Sequence, residues 1–334
     1  MGGKALNHLG IHTERKNTTD FFRIYNEISK KLNASGITCD YIKFYHEKET
    51  HGDLDILIKI DSTLYNSGIN LENWITDNLK TKGISRNSSI VSFEYDRFQI
   101  DFIPMSEKYW DSCKCFFDFD PIGNLTGKIA HKFGLKFGFH GLEYPYRNFN
   151  GKISTNIQIS TDTEKIFNFL GLDYSRYTNG FNTLTEIFYF ITASKYFNTE
   201  AFLFKNLNSI DRKRNAKRKT YNEFLTYINT TTFTLSNFVG FKGKSEYIED
   251  INLFFPESNF KIKLKELELK NTENELMCSK FNGKLIMEQH PKLMGKELGD
   301  AITKFKKSFG DKWREYNLNN SSESILKDFD DTLV

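Results

Sequence analysis

The sequence has few of the residues that mark several common classes of protein. Its 334 residues include only five prolines and four cysteines, and no two cysteines form a Cys-x-x-Cys pair. This spacing argues against a zinc cluster and a disulfide framework, and it indicates a reduced, intracellular protein, which we expect in the cytoplasm. The sequence also contains no Walker loop, no Ser/His/Asp signature and no internal repeat.

Long apolar runs and a strong charge of one sign are missing as well. No stretch has the length of a transmembrane helix and no signal peptide is evident, so we expect no membrane association. The formal net charge is only +3, which means that any surface for nucleic acid must be a local patch. The chain is long enough to form two or more domains.

The most informative stretch is residues 51–60, His-Gly-Asp-Leu-Asp-Ile-Leu-Ile-Lys-Ile. Strand alternation places Leu54, Ile56, Ile58 and Ile60 on one face and both acids, Asp53 and Asp55, on the other. Two adjacent carboxylates repel each other, and a divalent cation would neutralise them. Gly52, which precedes them, lets a backbone segment or a ligand approach closely because it has no Cβ.

A second apolar run, Phe98-Gln99-Ile100-Asp101-Phe102-Ile103-Pro104, supplies a third acid. Three carboxylates that converge from neighbouring strands could hold two Mg²⁺ ions for in-line attack on a phosphate. The alternative is an edge strand with solvated acids and one aspartate near a turn. Asp-x-Asp on a strand is common, so the spacing alone leaves both interpretations open.

The residues around the first two acids resemble a known motif. Glu47-Lys48-Glu49-Thr50-His51-Gly52-Asp53-Leu54-Asp55-Ile56-Leu57 is similar to the palm motif of the family X DNA polymerases, in the polymerase-beta nucleotidyltransferase superfamily. In that family a Lys-Glu-Thr-x-Gly-Asp-h-Asp-h-Leu run carries the first two metal-binding acids. The resemblance implies that Asp53, Asp55 and Asp101 are the catalytic metal ligands, with two Mg²⁺ ions as cofactors and Mn²⁺ as a substitute.

The resemblance implies less about the triphosphate of the nucleotide. The family has Gly-Ser about ten residues before the first acid, whereas this chain has Ile42 and Lys43 there, with His46 where the family has an arginine. Lys43 can meet phosphate oxygens as a point charge. For His46, a phosphate contact and a plain surface histidine are both open. Gly2-Gly3, ahead of a possible helix, could wrap a phosphate or form a flexible terminus.

A further segment resembles the nucleotide-selecting thumb of the family. Phe116 to His131 is similar to the loop and helix that close over the incoming nucleotide, and Thr161–Leu172 is similar to the family's closing segment, Thr-Glu-Glu-x-Ile-Phe-x-x-Leu-Gly-Leu. The residues that the resemblance assigns to the nucleotide are Gly52, Lys43, His46, Gly123, Asn124, Lys128 and His131. His131 aligns with an arginine that contacts the template base, and Gly127 with a base-contacting asparagine, which favours extension without a template.

Asp211–Lys219, Asp-Arg-Lys-Arg-Asn-Ala-Lys-Arg-Lys, is the densest basic run. On one helix, Arg214, Lys217 and Arg218 would share a face, and such a surface binds phosphate backbones without reading sequence. The alternative is a solvated helix face or a linker. The residues that we predict to bind nucleic acid are Arg212, Lys213, Arg214, Lys217, Arg218 and Lys219.

Taken together, the sequence predicts an α+β fold. The expected domains are a nucleotidyltransferase palm with a mixed β-sheet over 1–105, a thumb-like subdomain over 106–180 and a mainly helical, nucleic-acid-binding domain over 181–334. Two local expectations accompany them. Cys113 and Cys115 lie on a predicted strand, and 321–334 is a loosely held tail.

The expected partners are NTP or dNTP and the 3′ end of RNA or DNA. Template-independent addition of nucleotides is the main hypothesis. The alternatives are template-directed gap filling and a non-catalytic nucleic-acid-binding protein that retains the fold, and an extension assay separates the three.

Overall fold

The computed structural model describes residues 3–60, 70–231 and 236–333. The chain divides into two units, of which unit 1 is Met1–Pro145 with Gln158–Ser258 and unit 2 is Tyr146–Ile157 with Asn259–Val334. Unit 1 therefore continues through the predicted domain boundary at residue 181. Among the described residues, every helix is too short or too polar to cross a membrane.

A five-stranded sheet forms the centre of unit 1. Its strands are β2 (Cys39–Tyr41), β4 (Asp53–Ile60), β5 (Ile84–Asn87), β6 (Ile90–Tyr95) and β7 (Phe98–Ser106), in the spatial order β2-β4-β7-β6-β5. β4 and β7 run parallel and the other neighbouring pairs are antiparallel. The sheet is mixed, and with the surrounding helices it confirms the predicted α+β class. A separate short pair joins β1 (Lys16–Asn17) to β3 (Thr50–His51).

Two helices cover one face of this sheet. They are α1 (Thr18–Ala34) and α2 (Leu71–Asn78), and each is capped by an asparagine, Asn17 or Asn70, whose side chain accepts from backbone N–H groups of the first turn. Period-two alternation turns the apolar residues of β4 and β7 toward these helices, as predicted for β4. The core that results contains Phe21, Ile24, Ile28, Leu54, Ile56, Ile58, Trp74, Ile75, Ile100 and Phe102.

The opposite face carries Leu57, Ile103 and Met105, which pack against Cys113 of α3 (Trp110–Phe117). The prediction of a strand at Cys113 and Cys115 was therefore wrong. Both thiols are buried on this helix. Residues four apart on a helix, such as Cys113 and Phe117, share a face. The acids of β4 and β7 belong to this second face.

The rest of unit 1 is mostly helical. Its helices are α4 (Ile122–Lys132), α5 (Thr163–Phe169), α6 (Tyr174–Thr178), α7 (Leu184–Thr192), α8 (Ser209–Ala216), α9 (Lys219–Thr230) and α10 (Ile248–Phe254). Short 3₁₀ turns occur at Asn7–Leu9, Glu107–Tyr109, Thr199–Ala201, Phe204–Asn206, Lys244–Tyr247 and Pro256–Ser258. A three-stranded sheet, in the order β10-β9-β8, consists of β8 (Lys136–Gly138), β9 (Gly141–Arg147) and β10 (Ile153–Ser160).

Unit 2 contains a small helical core. Its helices are α11 (Phe260–Lys280), α12 (Gly283–Gln289), α13 (Gly295–Phe309), α14 (Trp313–Asn319) and α15 (Ser322–Asp330), with a 3₁₀ turn at Gly310–Lys312. Ile325 and Phe329 of α15 are fully buried in this core. The expectation of a loosely held tail at the end of the chain was therefore wrong for the described residues up to 333.

Candidate active site

Three aspartates occupy neighbouring positions on the second face of the sheet. In the parallel pair of β4 and β7, Asp55 is the direct partner of Asp101, and Asp53 is the partner of Gln99. Neighbouring strands lie about 4.8 Å apart, so the two partners are adjacent on one face. Because Asp53 lies two residues before Asp55, all three acids project from the same side of the sheet.

The acids lie in a region of low dielectric and repel one another. Burial raises the pKa of Asp55 far above its ordinary value, and the charges of Asp53 and Asp101 raise it further. Burial is also the main cause that raises the pKa of Asp101 to about 6. The pKa of Asp53 is raised by burial, against the lowering effect of Lys48. A cation bound among these groups would favour their charged forms.

Asp101 is held by polar neighbours on its own sheet. Gln99 donates from Nε2 to Oδ1 and Oδ2 of Asp101, at 3.0 Å each. The hydroxyl of Ser92, the residue opposite Asp101 on β6, also hydrogen-bonds the carboxylate, and both contacts lower its pKa. Gln99 and Ser92 are almost fully buried. The third acid therefore has a defined orientation.

The segment near the start of the chain lies against the acids. The backbone N–H of Ala5 donates to Oε1 of Gln99 at 2.8 Å, and the backbone N–H of Gly3 hydrogen-bonds the Asp53 carboxylate. Gly3 has φ +82°, and a Cβ at this position would lie 2.4 Å from the carbonyl oxygen of Gly52. The backbone of Gly3 can therefore lie this close to the Gly52 carbonyl oxygen only because Gly3 has no Cβ. Gly2 lies outside the described residues.

Two cations act on the acids. Lys48 lowers the pKa of Asp53 and Asp55, and its ammonium lies 5.6 Å from the centre of the Phe44 ring. Arg15 lowers the pKa of Asp53 as well, and its guanidinium donates to the Thr50 carbonyl oxygen at 2.8 Å. Anionic ligands of the site would meet both of these positive groups.

His51 stabilises the turn ahead of the acids rather than contacting a ligand. Its ring is 1 % exposed and lies between Phe21 and Phe44, with centroid distances of 4.5 and 4.3 Å. Thr18 donates from Oγ1 to the Lys48 carbonyl oxygen at 2.7 Å, so His51 Nε2, at 3.2 Å from Oγ1, must be the donor of that contact. Burial lowers the pKa of His51 to about 4, and the ring is neutral at physiological pH.

Within residues 3–60, 70–231 and 236–333, no three His, Cys, Asp or Glu side chains are positioned to hold a metal ion in their present orientations. Convergence of the three carboxylates on one ion requires side-chain rotations of short residues on neighbouring strands. The donor set nevertheless suits Mg²⁺, a hard cation that prefers carboxylate oxygens. The raised pKa values supply the electrostatic reason for a cation to bind there.

Lys43 and His46, the predicted triphosphate contacts, lie on the segment that leads to β3. The side chains of both residues are exposed. The Lys43 backbone N–H donates to the buried carboxylate of Asp118 at 2.7 Å, and the His46 backbone N–H donates to the Phe181 carbonyl oxygen at 2.9 Å. The backbone of this segment is fixed while the two side chains face solvent.

The predicted basic run does not form one continuous helix. α8 ends at Ala216 and α9 begins at Lys219, so Arg214, Lys217 and Arg218 do not share a helical face, and that part of the prediction was wrong. At this break the Arg218 side chain is only 30 % exposed, and its Nη1 lies 4.0 Å from Oδ1 of Asp120. The charge of Asp120 acts in turn on Asp55 and Lys48.

Of the basic residues of this run, those with exposed side chains are Arg212, Lys213, Arg214, Lys217 and Lys219. Arg218 contacts Asp120, whose charge acts on Asp55, and this links one end of the basic surface electrostatically to the acids. An open groove of about 660 Å³ follows it, lined by Lys217, Lys219, Asn222 and Glu223 among others. The basic surface and the acids belong to the same unit.

The predicted nucleotide contacts on α4 make contacts inside the fold. Lys128 is 10 % exposed, and its Nζ lies 2.6 Å from Oδ2 of Asp211. Asn124 donates from Nδ2 to Oδ1 of Asn215 at 3.0 Å. These two pairs attach α8 to α4.

Two other residues of α4, Gly123 and His131, were also predicted to contact the nucleotide. A Cβ on Gly123 would lie 2.0 Å from the Phe116 carbonyl oxygen, so only glycine fits there. His131 Nε2 lies 3.3 Å from Lys244 Nζ. Gly123 therefore serves the packing of α4, and His131 faces Lys244 at the end of that helix.

Sequence reasoning missed five residues of the site, which are Arg15, Ser92, Gln99, Asp120 and, as a counter-charge, Lys48. Gln99 had a usable signal, because it lies two residues before Asp101 and therefore on the same strand face. Arg15 and Asp120 are distant in sequence from the acids, and no local pattern marks them. A scan of protein-family models finds none that matches this sequence, and a search of curated proteins finds no match either.

Proposed function

We propose that this protein is a nucleotidyltransferase of the polymerase-beta type. It would transfer a nucleoside monophosphate from an NTP or dNTP to the 3′-hydroxyl of RNA or DNA, without copying a template. The hydroxyl oxygen attacks the α-phosphorus, the bond to the β-phosphate oxygen breaks, and pyrophosphate leaves while the hydroxyl proton is released. The observation that carries the proposal is the register of β4 and β7, which makes Asp55 and Asp101 neighbours with Asp53 beside them.

The acids have separate roles in this reaction. Asp53 and Asp55 would hold two Mg²⁺ ions, and Asp101 would bind only the ion at the attacking hydroxyl. Two such ions supply positive charge to the attacking and leaving oxygens of an in-line displacement. Gln99 and Ser92 orient Asp101, and Lys48 and Arg15 place positive charge where the phosphates of the nucleotide would lie. Positioning and charge stabilisation account for most of the catalysis in phosphoryl-type transfers.

The exposed basic residues around the break between α8 and α9 support a nucleic-acid acceptor. They lie at the Asp120 end of the site, through the contact of Arg218 with Asp120. Lysines and arginines in this arrangement bind phosphates without reading bases. Extension without a template is favoured because His131 faces Lys244 in place of the family's arginine at the template base. Gly127 has no side chain with which to replace the family's asparagine at the nucleotide base.

An extension assay tests the proposal directly. Labelled single-stranded RNA, single-stranded DNA and a gapped duplex are each incubated with Mg²⁺ and one NTP or dNTP at a time. We expect growth of a single strand by the wild-type protein and a loss on the order of a hundredfold or more for Asp53→Asn and Asp101→Asn. Asp77→Asn, an exposed acid on α2, is the matched control and should retain activity.

The three substrates separate the competing functions. Growth on the gapped duplex alone would identify template-directed gap filling. Binding of the strands without any growth would identify a non-catalytic protein. Full activity of Asp53→Asn or Asp101→Asn would contradict the assignment of the acids.

A further inference from the structure

Unit 1 contains a second cavity that the proposed reaction does not use. Its volume is about 340 Å³, and aromatic side chains from four separate segments line it. We call it the aromatic pocket, and its rings are Phe133, Phe169, Tyr196, Phe238, Tyr247 and Phe254. Ligand sites are typically cavities of about 300–1,000 Å³ lined by aromatic groups with a few polar ones, so the aromatic pocket lies within that range.

The floor of the aromatic pocket is rigid. The buried ring of Phe133 lies 4.7 Å from the Tyr247 ring and 4.9 Å from the Tyr196 ring, between centroids. Phe238 stands perpendicular to Tyr196 at 5.2 Å. The Phe238 backbone is fixed at both ends, because its N–H donates to the Phe197 carbonyl oxygen and its own carbonyl oxygen accepts from Asn198 Nδ2. These rings hold their places without a ligand.

The rim of the aromatic pocket offers open ring surface. Phe254 is 43 % exposed although it lies only 5.2 Å from Phe169, and Tyr196 and Phe238 are half-buried. Exposed rings at the edge of a cavity lose contact with water when a flat aromatic group stacks on them. Stacking of a nucleobase on a protein ring is tolerant of sequence, because every base has a π-face.

The polar groups at the aromatic pocket favour an anion attached to that flat group. The Lys195 ammonium lies 4.9 Å from the Tyr196 ring centre, and the Lys242 ammonium lies 5.9 Å from the Tyr247 ring centre. Lys242 pairs with Asp250 at 3.7 Å, which leaves one net positive charge among these three residues. Asn168 adds an amide that can donate to and accept from a base edge. An apolar peptide side chain would use none of these groups.

The position of the aromatic pocket relative to the acids follows from α4. Asp120, whose charge acts on Asp55, lies just before α4, and Phe133 follows its last residue. A helix of 11 residues is about 16 Å long at about 1.5 Å per residue. A single strand of a few nucleotides spans this length.

From these observations we infer that the aromatic pocket binds one unpaired base of the acceptor strand, upstream of its 3′ end, with Lys195 on the adjoining phosphate. The inference rests on the proposed function, since it takes a single strand as the ligand. Its test is an equilibrium measurement without NTP or Mg²⁺, so that it does not depend on catalysis. The probes are labelled single-stranded RNA and DNA of eight nucleotides.

Phe254→Leu is the main variant, because leucine keeps apolar volume at an exposed position but cannot stack. Leu253→Ala is the matched control, since Leu253 is a neighbouring exposed apolar residue outside the pocket. We expect Phe254→Leu and Phe238→Leu to weaken binding of the eight-nucleotide strand about 5- to 100-fold, with Leu253→Ala unaffected. Thermal unfolding of each variant confirms that it is folded.

The role of Lys195 has its own readout. Lys195→Gln should reduce the slope of log affinity against log salt by about 0.7, the value for one phosphate contact on a single strand. Lys30→Gln, an exposed lysine on α1, should leave the slope unchanged. The two ring variants should lower affinity at every salt concentration with the slope intact.

Two results would overturn the inference. The first is equal binding of eight-nucleotide strands by the wild type and by both ring variants. The second is binding of free mononucleotides to the pocket as tightly as the strand. Pocket-dependent binding by a wild-type protein that extends no strand would keep the inference and remove the proposed function. Strand extension without pocket-dependent binding would do the reverse.

Discussion

Gln99 joins Asp101 to the segment near the start of the chain. Its Nε2 donates to both oxygens of the Asp101 carboxylate at 3.0 Å, and its Oε1 accepts from the Ala5 backbone N–H at 2.8 Å. The amide is almost fully buried, so it cannot exchange these partners for water. Gln99 is therefore a positioning residue for the third acid of the site.

Replacement of Gln99 by leucine should reduce kcat for strand extension by about 10- to 100-fold, because a hydrogen bond to a charged group contributes about 1.5–3 kcal/mol. The KM for the nucleotide should change less than twofold, and the Mg²⁺ concentration for half-maximal rate should rise. Gln158→Leu removes another glutamine that makes three hydrogen bonds, away from the acids. Equal kcat values for the two variants would contradict a positioning role.

Gly3 and Gly10 provide a matched pair for the close approach at the acids. Both have positive φ, +82° and +73°, but a Cβ on Gly3 would meet the Gly52 carbonyl oxygen, whereas a Cβ on Gly10 would meet nothing within 4 Å. Both alanine variants therefore incur the backbone cost of about 1 kcal/mol. We expect extension to fall at least about tenfold for Gly3→Ala only. Similar rates for the two variants would show that this contact does not matter for catalysis.

The acids should destabilise the metal-free protein at neutral pH. The pKa of Asp101 is about 6 in the folded chain and 3.8 ordinarily, so the folded state binds its proton more tightly and loses stability as pH rises through that interval. In EDTA at pH 7.5, Asp101→Asn should be more stable than the wild type by about 1–3 kcal/mol, and the gain should vanish near pH 4. Urea unfolding at both pH values measures this difference.

Mg²⁺ gives the complementary measurement. A ligand that binds only the folded state raises the unfolding temperature, so added Mg²⁺ should stabilise the wild type. Asp53→Asn and Asp55→Asn should respond less, while Asp77→Asn should respond fully. An unfolding temperature of the wild type that is independent of Mg²⁺ would count against a metal site at these acids.

His51 should produce the opposite pH dependence. Its pKa is about 4 in the folded chain and 6.5 ordinarily, so the unfolded state binds the proton more tightly between these values. Stability from the neutral ring is complete above about pH 6.5 and is lost as pH falls toward 4, by up to about 3 kcal/mol. His51→Gln should be less stable at pH 7.5, and its deficit should shrink toward pH 4. A constant deficit across this range would show that the ring is not neutral in the fold.

The exposed basic residues should account for the salt dependence of strand binding. A variant with Lys213, Arg214 and Lys217 changed to glutamine should reduce the slope of log affinity against log salt by about 2, at about 0.7 per phosphate. A control with Lys30, Lys80 and Lys82 changed to glutamine removes the same charge elsewhere in unit 1 and should leave the slope unchanged. Equal slopes for both variants would place the phosphate contacts elsewhere.

The sequence contained enough information for the strands of the site but not for its surroundings. Alternation and the Gly-Asp-Leu-Asp motif predicted that Asp53 and Asp55 share a face, and β4 confirms it. The parallel register that pairs Asp55 with Asp101 depends on the crossover between β4 and β7, which no local pattern encodes. Arg15 and Asp120 reach the site only through tertiary packing.

The errors have physical causes as well. Cys113 and Cys115 could satisfy either a strand or a helix, because a short apolar run carries no distinct period. The end of the chain looked polar, yet Ile325 and Phe329 are spaced by four residues and are buried once α12 to α14 provide partners. The basic run predicted one helix, but the helix is interrupted at Lys217 and Arg218, where Arg218 contacts Asp120.

Asn215 is completely buried and hydrogen-bonds Asn124, so α8 and α4 move as one body. In the proposed reaction, Lys213 and the neighbouring lysines of the basic surface therefore stay at a constant offset from α4. The strand must then release those lysines and re-engage them one nucleotide further along after every addition. The rate of that release limits how many nucleotides are added before the product dissociates.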